Sequence, residues 1–170
     1  LGQLGDPLFG AFDEVLITIV RFARTATATF PQYRILAASD SGITAPGDLR
    51  GVPIGISEGT VIEYVTYRLL EAEGLAPAEI ATVAVPTIAE RMNLLASGQI
   101  QAATLPDPLS TLAIQSGASV VIDDTAHPEF GNSVVSFRAS VLEDHPEAVR
   151  GFLSALERAI ADVNADKTRW

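Results

Sequence analysis

The chain has 170 residues, of which 48% are hydrophobic and 19% are charged, a composition typical of a folded domain with its own core. Its formal net charge of −10 argues against nucleic-acid binding, because phosphate recognition needs clustered Lys and Arg side chains. The absence of cysteine excludes disulfides and thiolate metal sites within the chain and leaves the redox compartment open.

Strand and helix patterns alternate along the chain. Extended segments are predicted at residues 15–20 and 34–38, and a turn-rich loop follows at residues 40–47. The apolar periodicity then predicts strands at residues 52–56, 80–85, 101–105 and 119–122, and helices at residues 61–72, 88–95 and 107–116. Such alternation favours a parallel sheet with helices on its faces, so we expect a compact α/β unit over residues 48–123.

A further extended segment is predicted at residues 134–137, and a long helix follows it. Pro146 lies in the first turn of that helix, and Asp144 and Glu147 have the spacing of a capping box. Apolar residues recur at helical spacing and are expected to line one face: Val149, Phe152, Leu156, Ile160 and Val163.

The segment Gly-Ile-Ser-Glu-Gly at residues 55–59 lies between a predicted strand and a predicted helix, which allows three interpretations. As G-x-S-x-G, it would be the elbow of a serine hydrolase with Ser57 as nucleophile, followed in chain order by an acid and by His127. As a binding loop, it would offer the hydroxyls of Ser57 and Thr60 and free backbone N–H groups from Glu58 and Gly59 onwards to a ligand. As a plain helix cap, it would need only one of the two hydroxyls.

A second candidate loop is Leu-Pro-Asp-Pro-Leu at residues 105–109, which follows a strand and precedes a helix. Asp107 has the position of a helix N-cap and Pro108 that of a first-turn proline, which is a complete structural explanation. The carboxyl end of a strand is also where open α/β sheets bind ligands. The sequence Leu-Gly-Asp-Pro-Leu at residues 4–8 repeats the pattern, so Asp6 and Pro7 form an equivalent candidate pair.

Metal binding is not expected. Asp123 and Asp124 are adjacent, but no further ligand follows at a suitable spacing. Arg91 is the nearest cationic candidate to the two loops, and its helical position predicts a solvated surface side chain. Because Asp6, Glu58 and Asp107 are all acidic, a neutral or amine-bearing ligand is favoured on charge.

Four segments together resemble a known family. Residues 48–60 (DLRGVPIGISEGT) and 90–109 (ERMNLLASGQIQAATLPDPL) are similar to segments of bacterial ABC-transporter substrate-binding proteins, and residues 117–122 and 145–149 follow in the expected order. The group that they resemble binds nitrate, sulfonates, taurine and thiamine pyrimidines, and it has the type II periplasmic-binding-protein fold. The resemblance extends from about Arg34 to the end of the chain. Pro106 stands where the family often has an aromatic residue, which removes a stacking surface.

The resemblance implies two α/β lobes joined by crossing strands, with a small molecule clamped between them by hinge closure. Residues 1–38 would be the end of lobe one with the first crossing, residues 39–130 lobe two, and residues 131–170 the return crossing and a helix of lobe one. The crossing strands would lie near residues 17–21 or 34–38 and near residues 134–138. The chain would then contain mainly one lobe of this α/β fold, with part of the other.

The resemblance also implies a function without catalytic residues or a cofactor. The chain would belong to an extracytoplasmic component of an ABC importer, periplasmic or membrane-anchored, whose partners are a small-molecule ligand and a membrane permease. The ligand would contact Asp6-Pro7, Ser57 to Thr60 and Asp107-Pro108. Since the chain begins without a signal pattern, we expect a piece of a longer protein, and self-association is a further expectation for a lobe on its own.

Three other classes remain as alternatives: the serine hydrolase, a same-fold enzyme that makes thiamine or menaquinone precursors, and the ligand-sensing domain of a transcription regulator. The absence of cysteine counts against the Cys-rich branch of the pyrimidine synthases.

Overall fold

The computed structural model describes the backbone of residues 17–27 and 29–166. Its strands are β1 (Ile17–Thr25), β2 (Tyr33–Ala37), β3 (Ile54–Ile56), β4 (Thr82–Ala84), β5 (Ala102–Pro106), β6 (Ser119–Asp123) and β7 (Asn132–Arg138). Its α-helices are α1 (Val61–Ala72), α2 (Ile88–Ala96), α3 (Leu109–Gln115), α4 (Ala139–Asp144) and α5 (Pro146–Ala165). The alternation of strands and helices predicted after residue 48 is confirmed, with strand boundaries that differ from the predicted ones by at most two residues.

The described residues divide into two compact units. One contains residues 23–133, and the other contains residues 17–22 and 134–166. The first unit holds a five-stranded sheet in the order β4-β3-β5-β2-β6. Strand β3 pairs in parallel with both β4 and β5, so the loops that follow these three strands leave the sheet at the same edge.

Strand β2 is antiparallel to both of its neighbours. It pairs with β5 through contacts such as Ile35 with Thr104, and with β6 through contacts such as Ile35 with Ile122. The sheet is therefore mostly parallel with one antiparallel strand in its interior, whereas the sequence predicted a unit that began at residue 48. Residues 35 to 37 of β2 are fully buried inside this sheet. The positions of the crossing strands and the assignment of the ranges to two lobes stay predictions.

Hydrophobic side chains from β2 alternate between two clusters. Ile35 and Ala37 pack with the buried residues of α1, while Leu36 and Ala38 pack with residues of α2 and α3. The period of two in a strand accounts for this division, because successive side chains point to opposite faces of the sheet. A strand with helices on both faces must be apolar at every position, and residues 35 to 37 are fully buried.

The second unit contains most of the two-stranded sheet β1-β7, together with helices α4 and α5. Pro146 is the first residue of α5, as predicted, and His145 is its N-cap. The predicted capping box of Asp144 and Glu147 is wrong, because no side chain caps this helix and Glu147 instead forms an ion pair with Arg150. Pro146 leaves one fewer N–H group to be capped at the first turn, which reduces the need for the box.

The predicted apolar face of α5 is only partly covered. Val149 is buried, whereas Phe152 is 50% exposed, although its ring also packs edge-on against Phe137 with centroids 5.6 Å apart. Ile160 and Val163 are exposed as well. Among the described residues, no helix combines the length and the apolar character that crossing a membrane requires.

Leu69→Ala should destabilise the first unit strongly. Leu69 is fully buried in the cluster formed by α1 and the sheet, so its truncation leaves a cavity and should lower the free energy of unfolding by about 2–5 kcal/mol. Urea denaturation measures this change. The control is Leu112→Ala, since Leu112 is 45% exposed and its truncation should change the free energy by less than about 1 kcal/mol. Equal losses in the two variants would contradict the core described above.

Candidate functional site

The two candidate loops described by the structure come from neighbouring strands. Ser57 follows β3 directly, Asp107 follows β5 directly, and β3 pairs in parallel with β5. The carboxyl ends of both strands therefore lie side by side at one edge of the sheet, which is where open α/β sheets bind ligands. Since β2 is antiparallel, its first residues, Tyr33 and Arg34, belong to the same edge. We call this the carboxyl edge.

The side chain of Ser57 is nearly buried, and its hydroxyl already acts both as a hydrogen-bond donor and as an acceptor. It is 8% exposed, and its hydroxyl donates to the carbonyl oxygen of Pro86 at 3.1 Å while its Oγ accepts from Nη2 of Arg91. No His side chain contacts this hydroxyl among the residues that the structure describes. Ser57 thus lacks the general base that a nucleophilic serine requires, and the elbow interpretation of residues 55–59 has no structural support.

Thr60 is the N-cap of α1. Its Oγ1 accepts from the backbone N–H of Ile62 at 3.2 Å, and its hydroxyl donates to the carbonyl of Ser57 at 2.7 Å. The cap interpretation is therefore confirmed for Thr60, and it is compatible with a binding loop. Capping by a threonine hydroxyl satisfies one of the N–H groups that every helix leaves open at its first turn.

The loop before α1 offers fewer free backbone donors than predicted. The N–H of Gly59 donates to the carboxylate of Glu63 at 2.6 Å, so it is already occupied within the helix. No described residue accepts a hydrogen bond from the N–H groups of Glu58, Thr60 or Val61. Three donors at the amino end of α1 thus remain for another acceptor, next to the positive end of the helix dipole.

Arg91 is fully buried, and the prediction of a solvated side chain is wrong. Its Nε and Nη2 donate to the carbonyl of Val85 at 3.0 and 2.7 Å, and its Nη1 donates to the carbonyl of Thr104 at 2.7 Å. Helical periodicity placed Arg91 in the first turn of α2 but could not show that this turn packs against three strand ends. Burial lowers the pKa of Arg91 to about 10, so the guanidinium stays protonated at pH 7.

Gly55 leaves the room that the Arg91 side chain needs. A Cβ at Gly55 would lie 3.1 Å from Cγ of Arg91 and 2.9 Å from Cδ1 of Ile100, both closer than ordinary van der Waals contact. The glycine of the predicted motif is therefore explained by the close approach of the arginine stem to β3.

Asp107 is held by side chains rather than by the helix backbone. Its Oδ1 accepts from Nη1 of Arg34 at 2.6 Å, from the hydroxyl of Thr111 at 2.9 Å and from the hydroxyl of Ser110. The prediction that Asp107 caps α3 is wrong, since the N-cap is Pro108, the helix begins at Leu109 and no side chain caps it. The Asp107–Pro108 peptide bond is cis.

The charge of Asp107 is neutralised at the edge. Burial raises the pKa of this carboxyl, but the hydrogen bonds from Ser110, Thr111 and Arg34, together with the charge of Arg34, outweigh burial and lower the pKa overall. Asp107 and Arg34 therefore form an ion pair, with side chains 23% and 14% exposed. The acidic charge that the sequence assigned to this loop is not available to attract an amine.

Asp124 is a buried residue that the sequence analysis did not select as a ligand-binding residue. Its Oδ1 accepts from the backbone N–H groups of Gln32 at 2.9 Å and Tyr33 at 3.3 Å, while its Oδ2 is buried without a hydrogen-bond partner among the described residues. Gly131 packs against it so closely that a Cβ there would lie 2.7 Å from Oδ2. Burial raises the pKa of Asp124, and the neighbouring Asp123 adds to the shift, whereas the backbone hydrogen bonds oppose it.

The other predicted residues have these positions. Asp6 and Pro7 lie outside the described residues, and Glu58 is exposed on the loop before α1. His127 stacks on Phe130 at 5.0 Å between ring centroids, with its Nδ1 3.5 Å from Glu129. The described part of the chain contains no group of three His, Asp or Glu side chains placed to hold a metal ion.

A cavity of about 160 Å³ lies at the opposite edge of the sheet. It is lined by residues that follow β2 and precede β5, among them Ser39, Asp40, Ser97 and Gln101. It is separate from the carboxyl edge, and neither the Ser57 loop nor the Asp107 loop contributes to it.

Comparison with known proteins decides the family. A family model described as the NMT1-like family matches residues 34–169, most of the chain. The chain belongs to the NMT1-like family. The match begins at Arg34, near the start of β2, where the resemblance seen in the sequence also begins. No protein of curated function matches the sequence.

Solved structures share the fold of this NMT1-like chain. The periplasmic aliphatic sulphonate binding protein SsuA from Escherichia coli superposes with a TM-score of 0.80 at 21% identity, over 96% of this chain and 55% of that chain. The alkanesulfonate-binding protein SsuA from Xanthomonas axonopodis pv. citri, bound to MOPS, gives 0.76 at 21% identity, over 95% of this chain and 55% of that chain. The desulfurization enzyme DSZB gives 0.63 at 17% identity, over 82% of this chain and 54% of that chain.

These similarities confirm the type II periplasmic-binding-protein fold. The NMT1-like chain spans about half the length of the solved structures that it matches. The mostly parallel sheet, with β2 antiparallel in its interior, is the part of that fold that the described residues contain.

Asp107→Asn and Asp124→Asn should have opposite pH dependences. The pKa of Asp107 is lowered in the folded state, so its contribution to stability is present above its unfolded pKa and is lost as pH falls. The pKa of Asp124 is raised above the ordinary value of 3.8, so the folded state loses stability as pH rises from 3.8 through the raised pKa. Relative to the wild type, Asp124→Asn should therefore become more stable with rising pH and Asp107→Asn less stable.

Free energies of unfolding measured by urea titration from pH 2 to pH 8 test this pair, because the Asp107 effect lies at and below pH 3.8 and the Asp124 effect lies above it. A common slope in both variants would show that neither carboxyl has the environment described here.

Proposed function

We propose that the chain is part of an extracytoplasmic solute-binding component of an ABC importer. It would hold a small organic molecule with an anionic head group at the carboxyl edge, and the Ser57–Thr60 loop would contact the head group. The observation that carries this proposal is the buried guanidinium of Arg91, which contacts Ser57 directly behind the open amino end of α1. Membership of the NMT1-like family and the likeness to sulfonate-binding proteins support it.

The charge of the ligand is revised from the sequence-based expectation. A neutral or amine-bearing ligand was favoured on the premises that Arg91 is solvated and that Asp107 is an unpaired acid. Arg91 is buried at the edge, and Asp107 is paired with Arg34. Buried charges are screened less by salt than exposed ones, so Arg91 outweighs the exposed Glu58 in the potential at the loop. An anionic head group, such as a sulfonate, therefore fits this edge better than an amine.

The hydrogen bonds of the Ser57 hydroxyl favour a binding role over catalysis. The fold alone does not separate the two, because DSZB is an enzyme with the same fold. The hydroxyl of Ser57 is held between Arg91 and Pro86, and the chain has no cysteine to act as a nucleophile. The described carboxyl edge thus offers hydrogen-bond donors and a fixed positive charge, which bind a ligand without reacting with it.

Two further parts of the proposal follow from the family rather than from this edge. The other half of the protein would contribute a facing lobe, with β1 and β7 as the crossing strands and Asp6-Pro7 as part of the ligand contacts. Asp107 and Pro108 would contact the ligand from the loop after β5. The partner would be a membrane permease, and the protein would work outside the cytoplasm.

Titration of the protein with ethanesulfonate and with taurine should shift the backbone amide resonances of Glu58, Thr60 and Val61 in ¹⁵N-edited NMR spectra. These N–H groups have no described acceptor, so a bound oxyanion would change their shifts more than those of residues at the opposite edge. Glu63→Gln should tighten the binding of ethanesulfonate by about two- to fivefold, because it removes a negative charge from the first turn of α1.

Glu73→Gln is the matched control for Glu63→Gln. Glu73 lies at the other end of α1, so the same change there should leave the affinity unaltered. Absence of amide shifts at residues 58–61 with both sulfonate compounds at tens of millimolar would contradict the proposal.

A further inference from the structure

Arg91 places a positive charge inside the first unit, bonded to neutral groups of the described residues. Its side chain has no exposed surface, and its donors go to the carbonyls of Val85 and Thr104 and to the hydroxyl of Ser57. No described Asp or Glu side chain forms an ion pair with it. The described salt bridges use other arginines, among them Arg34, Arg50 and Arg68.

The burial of the Arg91 charge is not offset by an opposite charge among the described residues. Removing a guanidinium from water has a large free-energy cost, and carbonyl dipoles offset this cost only in part. Since Arg91 donates to three neutral acceptors, its positive charge is not cancelled by them and polarises the groups that it contacts.

Ser57 is the described side chain through which this charge reaches the carboxyl edge. Its Oγ accepts from Arg91, and its proton is donated to the carbonyl of Pro86 at 3.1 Å. An oxygen that accepts from a cation becomes a better donor, because hydrogen bonds in a chain polarise one another. Rotation about the Cβ–Oγ bond would redirect this proton from Pro86 to a ligand oxygen at the edge, with Arg91 still bound to Oγ.

We propose that Arg91 is a positioning residue that sets the preference of the Ser57–Thr60 loop for anionic over neutral ligands, and that it acts through the hydroxyl of Ser57. The inference rests on the proposed function, since it concerns the same ligand site. It differs from that proposal in assigning the selectivity to a residue that does not touch the ligand.

The test uses two probes of similar shape, ethanesulfonate and ethanesulfonamide, of which only the first is charged at pH 7. Affinities are measured by NMR titration for the wild type, Arg91→Gln, Ser57→Ala and the double variant. Arg91→Gln removes the charge and should weaken ethanesulfonate binding by about tenfold, the effect of losing one charge-assisted hydrogen bond, and should change ethanesulfonamide binding by much less. Because both residues act as one unit, the double variant should bind ethanesulfonate no more weakly than Ser57→Ala.

Arg50→Gln is the matched control for Arg91→Gln. Arg50 is exposed, forms an ion pair with Glu79 and lies before β3, at the opposite end of that strand from Ser57. The same chemical change there should leave both affinities unchanged.

A second variant keeps the test decisive if circular dichroism shows that Arg91→Gln does not fold. Ser57→Thr retains the hydroxyl and should keep the preference for ethanesulfonate, whereas Ser57→Ala should lose most of it. Equal losses for the charged and neutral probes, or effects of Arg91→Gln and Ser57→Ala that simply add, would overturn the role of Arg91 and leave the proposed function intact. Failure of the wild type to bind ethanesulfonate would overturn the proposed function, and this inference with it.

Discussion

The buried guanidinium of Arg91 is the constraint on which the carboxyl edge depends. It contacts the chain just after β3, just after β4 and within β5, which fixes the relative positions of three strand ends. Backbone carbonyls near the end of a strand run out of ladder partners, so they are natural acceptors for such a donor. The cost of burying the charge requires dense hydrogen bonding around it, and this density holds Ser57 in place. The geometry of the loop before α1 follows from a side chain in α2.

Two carboxyl groups at the carboxyl edge, those of Asp107 and Asp124, have opposite electrostatic environments. Asp107 shares its Oδ1 with an arginine and two hydroxyl donors, so its charge is stabilised and offset locally. Asp124 receives only backbone N–H groups on Oδ1 and nothing described on Oδ2, so its charge is opposed by burial. Along the carboxyl edge, the local charge is therefore positive behind α1, where Arg91 is buried, and close to neutral after β5, where Asp107 pairs with Arg34. A formal charge of −10 for the whole chain therefore says little about the potential that a ligand would meet here.

Strand β2 connects the fold to this electrostatic arrangement. Because it runs antiparallel between β5 and β6, its first residues rather than its last reach the carboxyl edge. Arg34 can therefore pair with Asp107, and the backbone of Gln32 and Tyr33 can bind Asp124. With β2 parallel, these groups would lie at the opposite edge of the sheet, away from Asp107 and Asp124.

The sequence by itself determined the α/β class, the range of α1, the glycine-punctuated alternation after residue 48 and the family, because these depend on local periodicity and on short motifs. It also placed Ser57 and Asp107 after strands, which is enough to predict a shared edge. Only the tertiary structure decided which charges are free at that edge. Arg91 meets Ser57 across 34 residues of sequence, and Arg34 meets Asp107 across 73. Helical periodicity marks a face but not what packs on it, so the burial of Arg91 and the pairing of Asp107 depended on contacts that no local pattern encodes.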